Sequence, residues 1–393
     1  MIRVSGCADF PNVTPTRQPL LLSPKTFLAR LVTQSKAKER NNAFTREAHK
    51  SGKAAEGKVK KILAGVVLCL FPAIALGADA QLQLPQEDWA FPVVDPAQQP
   101  AGAGGGGGRG GGGRGGGDAV AEELHTVPGS TQQYTQRQVT NMVGLSSWFP
   151  DEEGPMPDVV SKGRAPDVRA CAGCHLTGGT GHATAGMAAG MNPDYFFQAI
   201  KDLAAGDRNP RAAGMMGTAK ALTDDEIRQA AAYYGKQKPR KWVKVIESAT
   251  VPATYVQAGA GERVRKPEGG TEPIGMRVIE IPEDEALFAL RDPHSGYVAY
   301  VPPGSIKKGE ALVTTGGNGK TIPCAVCHGP DLKGLGNVPG IGGRLPTYVA
   351  RQMIDIRNGY RKLGSSALMK AVVEKLTIDD IVNIVAYTAS RDP

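Results

Sequence analysis

The apolar positions follow a helical period at two places that match each other. Ile227, Ala230, Ala231 and Tyr234 stand at i, i+3, i+4 and i+7, and Ile378, Ile381, Val382 and Val385 repeat the arrangement, which is the spacing of one helix face packed on a core. Each run has a start signal. Thr223 with Glu226, and Thr377 with Asp380, stand at capping-box spacing, where hydroxyl and carboxylate satisfy the backbone N–H groups left over by the first turn. Tyr195 to Leu203 and Tyr348 to Arg357 are predicted as an earlier helix ahead of each. Between residues 243 and 303 the pattern changes. Met276 to Ile281 and Tyr297 to Val301 are strand-like runs set among Gly and Pro, which predicts an irregular, partly β connector packing across its neighbours.

The two helical regions belong to a longer repeat. Cys171-Ala172-Gly173-Cys174-His175 recurs as Cys324-Ala325-Val326-Cys327-His328, and Met215 precedes Leu222 by seven residues as Met369 precedes Leu376. The chain from about residue 130 is therefore two copies of one unit, at 130–242 and 304–393, joined by the connector at 243–303.

What precedes the repeat has another character. Lys58, Lys60 and Lys61 lead into an apolar run from Ile62 to Leu76, followed by small-residue cleavage sites at Ala75-Leu76-Gly77 or Ala78-Asp79-Ala80. This is the pattern of a secretion signal at 58–80. The run is shorter than the roughly 20 apolar residues a spanning helix needs, so no transmembrane span is expected in the mature chain, and the expected location is the periplasm. Cys69 follows Leu68, where lipid attachment would need a small residue. Residues 1–57 precede a signal that belongs at the N-terminus, and no methionine stands between Met1 and Met142, so translation is expected to start near Val59 on an alternative codon. Residues 81–129 are expected to be a Pro- and Gly-rich flexible tether. Ala101 to Gly117 is nearly all glycine apart from Arg109 and Arg114; it buries nothing that would offset its ordering entropy and would span roughly 22 Å root-mean-square.

Charge separates leader from body. Residues 1–61 hold 13 basic and 4 acidic residues, the rest 33 basic and 34 acidic, so the basic pI of 9.1 belongs to the leader. A nucleic-acid partner loses its electrostatic support, and two arginines in an exported glycine tract make a poor RNA-binding segment. Within the body, residues 300–393 carry 12 basic against 7 acidic residues and residues 118–240 carry 12 against 14. The asymmetry points to steering of an acidic partner toward the second unit, against the plainer reading of a solvated basic face.

Two cysteines separated by two intervening residues and followed at once by histidine form the c-type haem attachment pattern. The thiols Cys171, Cys174, Cys324 and Cys327 would add to the vinyl groups of two porphyrins, and the adjacent His175 and His328 would reach the irons. Zinc would want four ligands per site, and a disulfide would not require the histidines. The sixth iron ligand is expected to be methionine. Met369 stands alone in a loop bordered by Gly364 to Ala367. In the first unit Met215 and Met216 are adjacent: spacing to the following leucine selects Met215, whereas spacing from the first cysteine selects Met216. The expectation is Met215, with Met187, Met191 and His182 as loop or core packing. Thioether ligation raises the iron potential relative to two histidines.

With these residues the chain resembles tandem class I cytochromes c, most like the dihaem cytochrome c4 family, over about residues 130–240 and 305–391. The resemblance rests on both CxxCH motifs, each later methionine, the Gly359-Tyr360-Arg361 turn and the aromatic-containing C-terminal helices ending near Tyr234 and Tyr387. It implies a mainly α protein of two class I cytochrome c-like haem domains with two covalent haem c groups. It further implies electron transfer from a donor dehydrogenase or quinol-oxidising protein to an acceptor oxidase. The connector and the polyglycine tether depart from the family. Two rival functions are a dihaem peroxidase-like enzyme, which needs an iron with a displaceable ligand, and a dedicated cytochrome subunit of a dehydrogenase complex at the membrane, which the tether mildly favours. A thiosulfate-oxidising enzyme with a cysteine iron ligand is excluded by the lack of a spare cysteine in the mature chain.

Overall fold

The computed structural model describes residues 87–100, 123–141, 143–258 and 261–393; the leader, the signal and the polyglycine run lie outside them. The first unit contains α1 (Asp158–Ser161), α2 (Ala172–His175), α3 (Pro193–Ala204), α4 (Ala213–Ala221) and α5 (Asp224–Lys236). The start of α3 is fixed locally. Asn192 accepts hydrogen bonds from the N–H groups of Asp194 and Tyr195 at 2.9 and 3.1 Å, and Pro193 occupies a position where its missing N–H costs nothing. At α5 the capping box forms as predicted: Thr223 Oγ1 accepts from the Glu226 N–H at 3.2 Å, and Glu226 accepts from the Thr223 N–H at 2.8 Å. The predicted face of α5, Ile227, Ala230, Ala231 and Tyr234, is buried against Phe196 and Ile200 of α3 and Val159 and Val160 of α1.

The connector is more ordered than an irregular linker. Its strands are β1 (Val243–Glu247), β2 (Thr250–Pro252), β3 (Thr254–Val256), β4 (Arg263–Arg265), β5 (Thr271–Pro273), β6 (Ile279–Pro282) and β7 (Tyr297–Val301), with a short helix α6 (Glu285–Ala289). Three of them form a sheet in the order β1-β7-β6. β1 runs parallel to β7, with Val243 opposite Tyr297, and β6 runs antiparallel to it. β2 pairs with β5, and β3 with β4. Val251, Ile274, Ile279, Ile281 and Val298 form its own apolar core. The strands are short because Gly and Pro punctuate them, but β-branched residues on both faces of the sheet give it a core to pack.

The second unit contains α7 (Ser305–Thr315), α8 (Ala325–His328), the short hairpin β8 (Gly334–Leu335) and β9 (Val338–Pro339), α9 (Pro346–Arg357), α10 (Lys370–Val373) and α11 (Ile378–Ala389). Here the one-faced expectation for the terminal helix changes: Asp380 through Ala389 are all buried. The helix is enclosed by α7, α9 and β1, so its polar-looking side is covered as well. The crossing with α7 is close because Gly309 has no side chain; a Cβ there would lie 1.9 Å from the Asn383 carbonyl oxygen and 2.8 Å from Tyr387 Cβ. In the corresponding stretch of the first unit the described residues form only two separate turns, Pro150–Glu153 and α1.

Part of the segment assigned to the flexible tether is anchored. Trp89, Ala90 and Phe91 are buried in the core shared by the connector and the second unit, Arg351 donates to the Ala90 carbonyl at 3.0 Å, and Glu87 pairs with Arg357 at 2.6 Å. Burying each of these aromatics contributes on the order of 2 kcal/mol, which the glycines that follow them in sequence have no side chains to supply. The connector is tied to the second unit through Glu280 of β6, which is buried and accepts from the Thr347 N–H at 3.2 Å and Thr347 Oγ1 at 3.0 Å.

Two outcomes follow from this packing. Gly309→Ala is expected to destabilise the protein by about 2 to 3 kcal/mol through overpacking at the helix crossing, seen as a lower thermal midpoint; an unchanged midpoint would contradict the crossing. Burial pushes the Glu280 carboxyl up from 4.5 to about 7, against the hydrogen bonds from Thr347 and the charge of Arg351. A raised carboxyl pKa means the folded state holds the proton more tightly, so the stability penalty is absent below about pH 4.5 and complete above about pH 7. Glu280→Gln should therefore gain on the wild type between those pH values by up to roughly 3 kcal/mol, measured by denaturant unfolding at both ends.

Candidate haem sites

Both CxxCH motifs fold as a single helical turn, α2 and α8, in which the first and second cysteines, three residues apart, share a face. The histidine N–H bonds back to the first cysteine's carbonyl at 2.9 Å in each, His175 to Cys171 and His328 to Cys324. Each turn is stopped by a residue with positive φ, Leu176 at 61° and Gly329 at 83°. No disulfide joins the four cysteines. Burial pushes the Cys171 thiol up to about 12 and the Cys324 thiol up to about 11, which makes neither a nucleophile or a redox thiol at neutral pH. Among the described residues no group of three or more His, Cys, Asp and Glu side chains gathers to hold a metal ion.

The imidazoles are oriented identically. His175 Nδ1 lies 2.8 Å from the Gly186 carbonyl oxygen and His328 Nδ1 lies 2.7 Å from the Pro339 carbonyl oxygen, each eleven residues downstream. A carbonyl only accepts, so Nδ1 carries the proton and Nε2 keeps its lone pair for a metal. Burial lowers the pKa of both rings, outweighing the raising effect of the carbonyl bond. The neutral, ligating form is thereby favoured.

Met215 packs against the apolar core of the first unit in company with Cys171, and Met369 against that of the second in company with Cys324. Met216 is half-buried and stands outside the first cluster. The spacing ambiguity resolves into a register. Cys171 and Cys324, Gly186 and Pro339, Tyr195 and Tyr348, and Arg208 and Arg361 are each 153 residues apart, whereas the capping threonines Thr223 and Thr377 are 154 apart. One residue is therefore inserted in the second unit between Arg361 and Thr377, the stretch that includes the methionine.

The structure also adds residues that motif spacing did not single out. Arg361 donates through Nη2 to Tyr195 Oη at 3.0 Å across the two units, and Arg344 donates through Nη1 to the Met187 carbonyl at 2.7 Å. Neither guanidinium has a carboxylate within ion-pair distance among the described residues, although burial lowers the Arg344 pKa and Arg361 is 8% exposed. Arg344 is half-buried, with its charge disfavoured by desolvation, whereas Tyr195, Tyr348 and Asp202 outweigh desolvation at Arg361 and hold its pKa raised; the propionate carboxylates of a haem are the chemistry that would compensate Arg344. The constant offset that pairs Arg208 with Arg361 and Tyr195 with Tyr348 was the available signal. His182, expected as packing, instead sets Nδ1 2.6 Å from Glu262 of the connector.

The protein-family model for cytochrome c oxidase, cbb3-type, subunit III matches residues 160–233. The chain is 29% identical to cytochrome c4 of Stutzerimonas stutzeri over 157 residues, 39% of this chain and 71% of that protein. It is 36% identical over 77 residues to cytochrome c-554(548) of Halomonas halodenitrificans, 19% of this chain and 93% of that one. It is also 27% identical over 217 residues to the thiosulfate dehydrogenase electron acceptor of Thiomonas intermedia, 54% of this chain and 74% of that protein. Two matching motif turns with identically held imidazoles, together with these relatives, place the chain in the c-type cytochromes, as a tandem cytochrome c most like cytochrome c4 and carrying two covalent haem c groups.

Proposed function

We propose that this electron-transfer cytochrome is a periplasmic dihaem carrier that takes electrons from a dehydrogenase or quinol-oxidising donor and passes them to a terminal oxidase or other acceptor. The observation that carries the reading is the repeated Nδ1-to-carbonyl bond of His175 and His328, which readies two imidazoles for iron in the same way. Cys171 and Cys174 would hold one haem and Cys324 and Cys327 the other, with His175 and Met215, and His328 and Met369, as the axial pairs. Met215 is preferred to Met216 because it is the one packed on the unit's core with Cys171. When bound, the haem supplies a one-electron ferric/ferrous couple, which thioether ligation sets higher than two imidazoles would. The protein's part is to exclude water from the iron, fix both ligands and offset the propionate charge with Arg344 and Arg361.

A second reading, a cytochrome subunit dedicated to a dehydrogenase complex, draws support from the likeness to a thiosulfate dehydrogenase electron acceptor. No helix among the described residues is long and apolar enough to cross a membrane. Co-purification with a dehydrogenase from native membranes separates this from a free shuttle.

The test is expression in a host that matures c-type cytochromes. The expected product is coloured, heavier by two haems located at the two cysteine pairs, and unchanged in its reduced spectrum on adding carbon monoxide. Met369→Ala and Met215→Ala should each open one iron to carbon monoxide, while Met216→Ala should not. A colourless protein without added mass would sink the proposal, and carbon monoxide binding by the wild type would revive the peroxidase-like reading.

A further inference from the structure

The constant offset between the two units lets the surroundings of each thioether edge be compared position by position. In the second unit that edge is open. Val326, between the two cysteines, is 66% exposed, Leu335 on the adjacent hairpin is 61% exposed, and Cys327 is itself exposed. The equivalents in the first unit are Gly173 and His182, and neither is open. Gly173 is buried, and Arg291 of the connector donates through Nη2 to the Ala172 and Gly173 carbonyls at 2.9 and 2.7 Å. Arg291 is held in the left-handed region at φ 57°, which a non-glycine residue adopts only when its surroundings demand it.

The pairing of Leu335 with Val338 in the second-unit hairpin has its counterpart in the bridge between His182 and Ala185. The backbone is the same, but His182 is seated on Glu262, a connector carboxylate with no exposed surface. A further clamp is the 2.7 Å bond from Trp148 Nε1 to the Leu290 carbonyl. The connector thus lies over the motif turn of one unit and leaves the other uncovered.

We propose that the connector acts as an insulating cover over the first unit's thioether edge, so that redox partners dock at the second unit's edge, through an apolar centre of Val326 and Leu335 beside Lys333 on a net basic unit. The basic character beside that centre comes from Lys333, two residues from Leu335 on the hairpin stretch, within a unit whose residues 300–393 carry 12 basic against 7 acidic residues; Lys320 is already paired with Asp380. An apolar centre beside a lysine on a net basic unit fits a partner with an apolar patch bordered by carboxylates. This goes beyond the carrier reading but rests on it.

The test uses the full-length protein with both haems attached and the hydroquinone form of an acidic flavodoxin as probe. In each productive encounter one electron leaves the flavin and reduces one ferric iron of the cytochrome, followed by stopped flow at low salt. Lys333→Glu and Leu335→Asp are each expected to lower the second-order rate constant about tenfold. Arg169→Glu, which makes the same charge change beside the first unit's motif, should leave it within about twofold. In an Arg291→Ala background, which removes the bonds over Ala172 and Gly173, Arg169→Glu should slow the reaction by about threefold or more. Equal sensitivity to Lys333→Glu and Arg169→Glu in the otherwise unaltered protein, or no sensitivity to either, would overturn the single docking edge. Persistent insensitivity to Arg169→Glu in the Arg291→Ala background would overturn the covering role. Haem content and the reduced spectrum of each variant keep the two levels apart: missing haem throughout counts against the carrier reading, whereas haem-replete variants with the wrong rates count only against the cover.

Discussion

An imidazole can hand a lone pair to iron through Nε2 only if Nδ1 holds the proton and the ring cannot turn. Both requirements are met here by one hydrogen bond, from Nδ1 to a carbonyl eleven residues further on. The rest of each unit is arranged to deliver that carbonyl. The motif turn ends on a positive φ so that the chain can reverse, a two-residue bridge narrows the loop, and the loop returns with Gly186 or Pro339 under the ring. The long helix that follows, α3 or α9, then carries the chain across the core toward the methionine. A buried, neutral imidazole on a fixed carbonyl is a ligand site assembled before its metal, and this preorganisation limits what must be reordered when the iron changes charge.

The same chemistry is supported differently in the two units. The second rests on the crossing of α7 and α11, tight enough that Gly309 has no room for a methyl group, and its terminal helix is buried all round. The first has only two separate helical turns among the described residues of the corresponding stretch and is buttressed by the connector, which contributes Arg291 and Glu262 to its motif region. One apolar core links connector, second unit and the loop around Met187 and Ala189 of the first. The connector therefore serves stability and access together: what it covers for packing reasons it also shields from partners.

Between the units, Arg344 and Arg361 reach across to Met187 and Tyr195. Arg361 is buried and Arg344 half-buried, and the propionates of a haem would give these cations an anionic partner. Positive charge held beside a haem would favour the ferrous state, in the same direction as thioether ligation.

The sequence alone determined the haem chemistry, the two-unit repeat and the terminal helices, because these depend on residues close in the chain: thiols three positions apart, an imidazole next to them, a capping hydroxyl three residues from its carboxylate. It also placed the strands near Ile281 and Tyr297, whose alternation is local. Only the tertiary structure decided the rest. The parallel pairing of β1 with β7, the anchoring of Trp89 and Phe91 within a stretch that looked like tether, the burial of α11 on every side and the seating of His182 on Glu262 join residues tens to hundreds of positions apart. No local pattern encodes which distant surface will cover which. That choice is made by the total apolar area and buried charge a fold can satisfy at once, and here it left one motif edge open and closed the other.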